Sequence, residues 1–225
     1  MSLPLGSTYP VVLAAPSGTG KTTIARALVE RSEDFVFSVS ATTRTMRVGE
    51  SGGRDYRFVS PEEFRGMVAR GELAEWAEVH GHLYGTPRKG LAEARDAGRF
   101  PILDIDVQGA RQIRESVPEA ILVFLLPPSA AELESRLRGR ATERSPEVAR
   151  RLRAAGPELD AAQEFDYVVI NRDVEDAVKA VEQIARGEAY RVSRRAEFAP
   201  LLVTLRREIE ELLASDRDTV SARDS

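Results

Sequence analysis

The segment that most restricts how this chain can fold is Ala15-Pro16-Ser17-Gly18-Thr19-Gly20-Lys21-Thr22. It follows an apolar run, Val11–Ala15, and leads into a helix-forming stretch, Thr22–Arg31. A glycine-rich loop between a buried strand and a helix lets backbone N–H groups wrap around a phosphate, and the helix N-terminus adds a favourable dipole. Lys21 supplies a mobile positive charge for β and γ phosphates, and the Thr22 hydroxyl suits Mg²⁺. Ala15 stands where a first glycine is commonest, a change that a strand-like φ accommodates. A plain strand-to-helix turn has no need of the lysine or the hydroxyl, so the loop predicts a nucleoside triphosphate.

Three further apolar runs follow: Ile102–Val107, Ile121–Leu126 and Tyr167–Ile170. Short continuous runs of this kind predict strands buried on both faces of a parallel sheet. Helical stretches fall between them. Pro87–Ala97 has Thr86 as its expected N-cap and Gly98 as its stop. Ser129–Arg138 opens on a capping box of Ser129 and Glu132, and Val174–Arg186 follows the fourth run. Alternating strands and helices predict an α/β fold, a parallel sheet flanked by helices.

Residues 35–98 depart from that rhythm. Phe35–Ser40, Tyr56–Val59, Leu73–Val79 and His82–Tyr84 read as short half-exposed strands, interrupted by a helix over Pro61–Arg70 capped by Ser60 with Glu63 three residues on. The expected organisation is a core of residues 9–34, 99–134 and 158–190, with an α+β insertion at 35–98 whose end is a core-side helix. An arginine-rich lid occupies 135–157, with turn chemistry at Gly139 and Ser145–Pro146. A helix at 196–215 and a polar, disordered tail at 216–225 complete it.

Composition excludes several classes. With no cysteine there is neither a disulfide nor a thiolate metal site, and only His80 and His82 offer imidazole, without accompanying ligand spacing. The net charge of −4 draws the chain to neither nucleic acid nor membrane, and no apolar stretch approaches bilayer length. The first residues lack the basic start and apolar run of a signal peptide, so the cytoplasm is expected.

A polyanion must therefore be gripped locally. Arg44 and Arg47 lie three apart among small and turn-forming residues, and two guanidinium forks on one loop suit a phosphate monoester. Tyr56 adds a hydroxyl donor. Two solvated surface arginines are the alternative. Glu75, if buried, would accept from both N1–H and the 2-amino group of guanine and repel adenine, with Ser40 and Thr86 donating to O6. From the residues alone Glu75 equally suits an exposed strand position. Asp104 and Asp106 end an apolar strand, where a carboxylate orients Mg²⁺ and its waters; solvation of a strand end is the alternative, and the buried run with an intact phosphate loop favours the metal role.

Taken together, the phosphate loop, Ser40 with Arg44-x-x-Arg47-x-Gly49-Glu50, Asp55-Tyr56-x-Phe58, Glu75-Trp76, Tyr84-Gly85-Thr86 and Ile102-Leu103-Asp104-Ile105-Asp106-x-Gln108-Gly109 resemble guanylate kinase in order and interval, over residues 9 to 190. The resemblance implies a P-loop kinase that moves the γ-phosphoryl group of ATP to GMP or dGMP, with Mg²⁺. It implies a GMP site of Ser40, Arg44, Arg47, Tyr56, Glu75, Tyr84, Thr86 and Asp104. In it Arg44, Arg47, Tyr56 and Tyr84 hold the phosphate, and Glu75, Ser40 and Thr86 read the base. The ATP side comprises Ala15, Pro16, Ser17, Gly18, Thr19, Gly20, Lys21, Thr22 and Thr23, with Asn171 toward adenine, and the metal side comprises Thr22, Asp104 and Asp106. Arg136, Arg140 and Arg151 of the lid join Lys21 and Arg44 as catalytic cations, although Ala141 replaces the glycine usual after Arg140.

Such a reaction needs no side-chain nucleophile, because the acceptor oxygen is already anionic; closure and converging cations do the work. Three other activities compete. A different small-molecule kinase would lack the Ser40, Glu75 and Thr86 set. A non-catalytic phosphoprotein-binding relative would lose Gly20, Lys21 and Thr22. A GTPase would carry an Asn-Lys-x-Asp motif, absent here. The expected assembly is a monomer or a homodimer, and Leu201, Leu205, Ile209 and Leu212 recur at helical spacing in the C-terminal helix.

Overall fold

The computed structural model describes residues 8–79, 81–139, 145–195 and 198–221. By contact the chain divides into two units, Thr8–Ala185 and a second containing Arg186 onward.

Within the first unit, the strands β1 (Val11–Ala14), β2 (Phe35–Phe37), β7 (Phe100–Asp104), β8 (Ile121–Leu126) and β9 (Tyr167–Ile170) form one parallel sheet ordered β2-β7-β1-β8-β9. Central β1 is wholly buried, as a strand flanked on both edges and both faces must be. The helices α1 (Lys21–Arg31), α4 (Val107–Ser116), α5 (Ala130–Arg138), α6 (Ser145–Asp160) and α7 (Val174–Glu188) alternate with these strands. Val12, Leu103, Leu122 and Phe124 of the sheet pack with Ala110 and Ile113 of α4 in one apolar cluster.

A second sheet, ordered β4-β3-β6-β5, comprises β3 (Ala41–Thr42), β4 (Arg57–Phe58), β5 (Leu73–Val79) and β6 (His82–Pro87). Here β6 runs antiparallel to both β3 and β5. The helix α2 (Pro61–Ala69) buries Phe64 and Met67 against Ala41 and Leu73, and α3 (Arg88–Asp96) follows β6.

Several expectations change. Phe35–Phe37 belongs to the core sheet, pairing with Phe100–Ile102, so the second sheet begins only at Ala41. Thr86 lies in β6 and does not cap α3, whose N-cap is Pro87. Gly98 does end that segment, with a φ of 66° that favours glycine. Ser145–Pro146 opens α6 instead of making a turn, as proline in a first helical turn allows, and α6 continues past the 157 boundary to Asp160. The run Tyr167–Ile170 is an edge strand with Val168 and Ile170 exposed, not a strand buried on both faces. Side-chain caps at Ser60 and Ser129 form as expected, each oxygen accepting from the backbone N–H three residues on.

In the second unit α8 (Phe198–Ser221) runs beyond the expected limit at 215, into the stretch expected to be disordered. His80 and Arg140 lie outside the described residues.

Candidate active site

The phosphate loop joins β1 to α1. Gly18 and Gly20 take φ of 90° and 99°, a left-handed conformation that glycine enters at little cost. Gly20 is also the N-cap of α1 and offers no side-chain cap, so the first N–H groups of the helix are left for an anion. Lys21 Nζ donates to the Ala15 carbonyl at 2.8 Å, folding the ammonium back over the loop. Behind the loop, Asn171 Nδ2 donates to Thr19 O at 2.7 Å, while Asn171 Oδ1, fully buried, has no hydrogen-bond partner. Arg136 bridges the same region, donating from Nη2 to Asn171 O at 3.1 Å and from Nε to Glu132 at 2.8 Å.

At the C-terminal end of β7 the Thr22 hydroxyl donates to Asp104 Oδ2. The two expected carboxylates have different partners: Asp106 caps α4, its Oδ1 accepting from Gly109 N at 2.7 Å. Among the described residues no group of three or more His, Cys, Asp or Glu is placed to hold a metal. One hydroxyl and one or two carboxylates fit Mg²⁺, which keeps waters and takes its remaining oxygens from substrate phosphates.

A cavity of about 210 Å³ opens from this point toward the second sheet. Lys21, Asp104, Asp106, Ser40, Tyr56, Tyr84 and Glu75 line it together. Glu75 is 4% exposed, and burial pushes its carboxyl up to about 7. Its Oε1 accepts from the Thr86 hydroxyl at 2.7 Å. Thr86 was expected to donate to a base; its proton is instead committed to the carboxylate beside it. Glu75 faces the cavity together with Ala77 and Val79, the alternate residues of β5, and the irregularity of the strand lies just before it. Leu73 pairs with Pro87 and Glu75 with Thr86, so Ala74 is an extra residue, and Ala74 and Glu75 turn toward the core in succession.

Also lining the cavity, Tyr56 and Tyr84 meet edge to face, ring centroids 5.9 Å apart. Burial, then the neighbouring Asp104, push the Tyr56 hydroxyl above its ordinary range, keeping it a donor. Arg44 is buried and bidentate on Glu50, at 2.7 and 3.0 Å, with its guanidinium 5.3 Å from the Tyr56 ring centre. That pairing holds the Glu50 carboxyl below its usual range. Arg47 is exposed and lies outside the cavity lining, though its backbone N–H also donates to Glu50, at 2.8 Å. Arg151 is half-buried on α6, with Glu147 3.7 Å away.

Sequence reasoning gave no role to three groups that the fold brings into play. Glu50 aims Arg44. Asp55, bonded to Ser51 N at 2.7 Å and ion-paired with Arg26 of α1, ties the loop before Tyr56 to the core. Gln112 and Ser116 of α4 grip β5 on either side of Glu75. For the last pair a signal existed: Gly109, Gln112 and Ser116 share one helical face at i, i+3 and i+7.

The model of the guanylate kinase family matches residues 7–188. Guanylate kinase of Bordetella pertussis is 48% identical over 196 residues, covering 87% of this chain and 90% of that protein. The enzyme of Thermosynechococcus vestitus is 50% identical over 172 residues, 76% of this chain and 90% of that one. The crystal structure of guanylate kinase from Anaplasma phagocytophilum superposes with a TM-score of 0.74 at 36% identity, covering 90% of this chain and 97% of the other.

Proposed function

The chain belongs to the guanylate kinase family, an ATP:GMP phosphotransferase on a P-loop kinase fold, and we propose how its residues divide the work. GMP occupies the cavity between the sheets, its base against Glu75 and its phosphate toward Arg44, Arg47, Tyr56 and Tyr84. The ionised Glu75 carboxylate accepts from N1–H and the 2-amino group. Ser40 donates to O6, while Thr86 steadies the carboxylate. Base and phosphate carry every assigned contact, so dGMP is used as well as GMP.

ATP lies with its phosphates on residues Ala15 to Thr23 and its adenine toward Asn171. Thr22 and Asp104 would hold Mg²⁺, with Asp106 nearby as a cap, and the ion would supply charge neutralisation for the phosphates. Transfer begins with in-line attack of a GMP phosphate oxygen on the γ-phosphorus. The bond from that phosphorus to the β–γ bridging oxygen breaks, and ADP leaves with its electron pair. Lys21, Arg44 and Arg136 lower the repulsion between the two anions as they approach. Arg140 and Arg151 join them from the lid, and closure keeps water from intercepting the phosphoryl group.

The observation that carries this assignment is that a buried Glu75 lines one cavity together with Lys21 and Asp104. An ADP-release assay across GMP, dGMP, AMP, CMP and UMP tests it, with strong preference for the two guanine nucleotides expected. Equal use of AMP would refute Glu75 as the base reader. Among the described residues no helix is long and apolar enough to cross a membrane. We place the enzyme in the cytoplasm, acting on free nucleotides and not on nucleic acid or membranes, as a monomer or a homodimer.

A further inference from the structure

The edge of β5 carries an arrangement that the reaction itself does not explain. β5 is the outer strand of its sheet, so its far backbone edge has no neighbouring strand. Edge N–H and C=O groups ordinarily turn to water. Here α4 takes the place of the missing strand. Gln112 Oε1 accepts from Trp76 N at 3.1 Å and Gln112 Nε2 donates to Trp76 O at 2.8 Å. The side-chain amide thus pairs both ways, as a backbone amide in a ladder would. One turn on, Ser116 Oγ donates to Ala74 O at 2.7 Å. Both gripped residues adjoin Glu75, and one of them, Ala74, is the extra residue of the bulge.

The same face of α4 also sets how close the carboxylate sits. A Cβ on Gly109 would lie 2.8 Å from Glu75 Oε2, inside contact distance, so only glycine at this place lets the carboxylate rest against the first turn of the helix. Glu75 alternates with Ala77 and Val79 along the cavity face, and the bulge at Ala74 sets that face off from Leu73, which packs toward α2. The backbone on either side of Glu75 is held by α4.

We propose that Gln112, Ser116 and Gly109 are positioning residues for guanine selectivity: through the backbone of Ala74 and Trp76 they hold Glu75 where it reads both N1–H and the 2-amino group. The inference rests on Glu75 being the base reader. It also links the base pocket to the nucleotide core, since α4 directly follows the strand that ends at Asp104.

The test compares GMP with inosine monophosphate, which keeps N1–H and lacks the 2-amino group. Gln112→Met keeps the volume and removes both hydrogen bonds. We expect kcat/KM for GMP to fall about tenfold, the preference for GMP over the inosine nucleotide to shrink, and KM for ATP to stay unchanged. Gln112→Glu, which keeps the acceptor for Trp76 N, should fall between. Gly109→Ala, which fits helical φ and ψ but crowds the carboxylate, should also erode selectivity. In a Glu75→Gln background, Gln112→Met should cost no further selectivity, because the group it aims is already altered. Selectivity unchanged in Gln112→Met and Gly109→Ala, but lost in Glu75→Gln, would overturn the positioning role and leave Glu75 as reader. Selectivity unchanged in Glu75→Gln itself would overturn the reader and this inference together. Equal rises in KM for ATP and GMP would mark the α4 contacts as structural only, and so reject the proposal.

Discussion

The Thr86 hydroxyl donates to Glu75 Oε1 at 2.7 Å in a place where Thr86 is fully buried and Glu75 nearly so. That bond favours the ionised carboxylate, yet burial outweighs it and lifts the Glu75 carboxyl from 4.5 to about 7. Below pH 7 the empty pocket therefore holds a protonated acid, which cannot accept from two guanine donors. KM for GMP should climb as pH falls below 7, gently at first and steepening toward roughly tenfold per unit, with KM for ATP much less affected. The second ionisation of the GMP phosphate, near pH 6, contributes to any such profile. Glu75→Gln serves as the control: the part of the climb due to the carboxyl must vanish in it. Parallel profiles for the two proteins would rule out this origin.

The same shift has a consequence for stability. The folded state holds its proton up to about 7, whereas the unfolded chain releases it near 4.5, so stability falls as pH rises between those values. Above pH 7 the folded protein carries a buried carboxylate at a cost of up to about 3 kcal/mol. Glu75→Gln should accordingly be more stable than wild type at pH 8, with the gain gone by pH 4.5, while losing preference for GMP. Chemical denaturation at both pH values checks the sign. A variant less stable at pH 8 would contradict it.

Glu50 grips both outer nitrogens of the Arg44 guanidinium, fixing its plane beside Tyr56. Glu50→Gln should raise KM for GMP several-fold and leave KM for ATP alone, since the fork loses its aim but keeps its charge. Arg44→Ala should cost more, in both GMP binding and kcat. Calorimetry with GMP alone separates these from Lys21→Ala, which should bind GMP normally and turn over poorly.

Asn171 reaches the phosphate loop through Nδ2 and presents an unpartnered Oδ1. Asn171→Ala removes both, so KM for ATP should rise about tenfold or more with little change for GMP. The preference for ATP over GTP as donor should shrink as well. An unaltered donor preference would show that Asn171 takes no part in reading adenine.

Every residue assigned to the two nucleotides lies within Thr8–Ala185. Truncation after Arg195 removes α8, whose Leu202, Leu205, Ile209 and Leu212 are exposed. The shortened enzyme should keep the GMP-over-AMP ratio of the full chain, with any effect confined to melting temperature or to mass by light scattering. Loss of GMP selectivity would place the tail at the active site.

The sequence by itself determined the features whose causes are local. Gly18, Gly20, Lys21 and Thr22 between an apolar run and a helix specify a phosphate loop, because glycine conformations and helix polarity act over a few residues. The capping serines at 60 and 129 and the stop at Gly98 were legible for the same reason. The guanine-reading set was legible only as a combination at fixed intervals, since Glu75 alone suits an exposed strand equally well. Tertiary structure decided the rest. Phe35–Phe37 joined the core sheet because pairing with Phe100–Ile102 depends on a partner more than sixty residues away, which no local pattern encodes. Thr86 gave up its expected cap because β6 extends to Pro87 and turns that hydroxyl toward Glu75. The separation of Asp104 from Asp106 became visible only when one met Thr22 and the other the first turn of α4. Most of all, the backbone on either side of Glu75 is held by Gln112 and Ser116 from another element, contacts across more than thirty residues that no local strand pattern encodes.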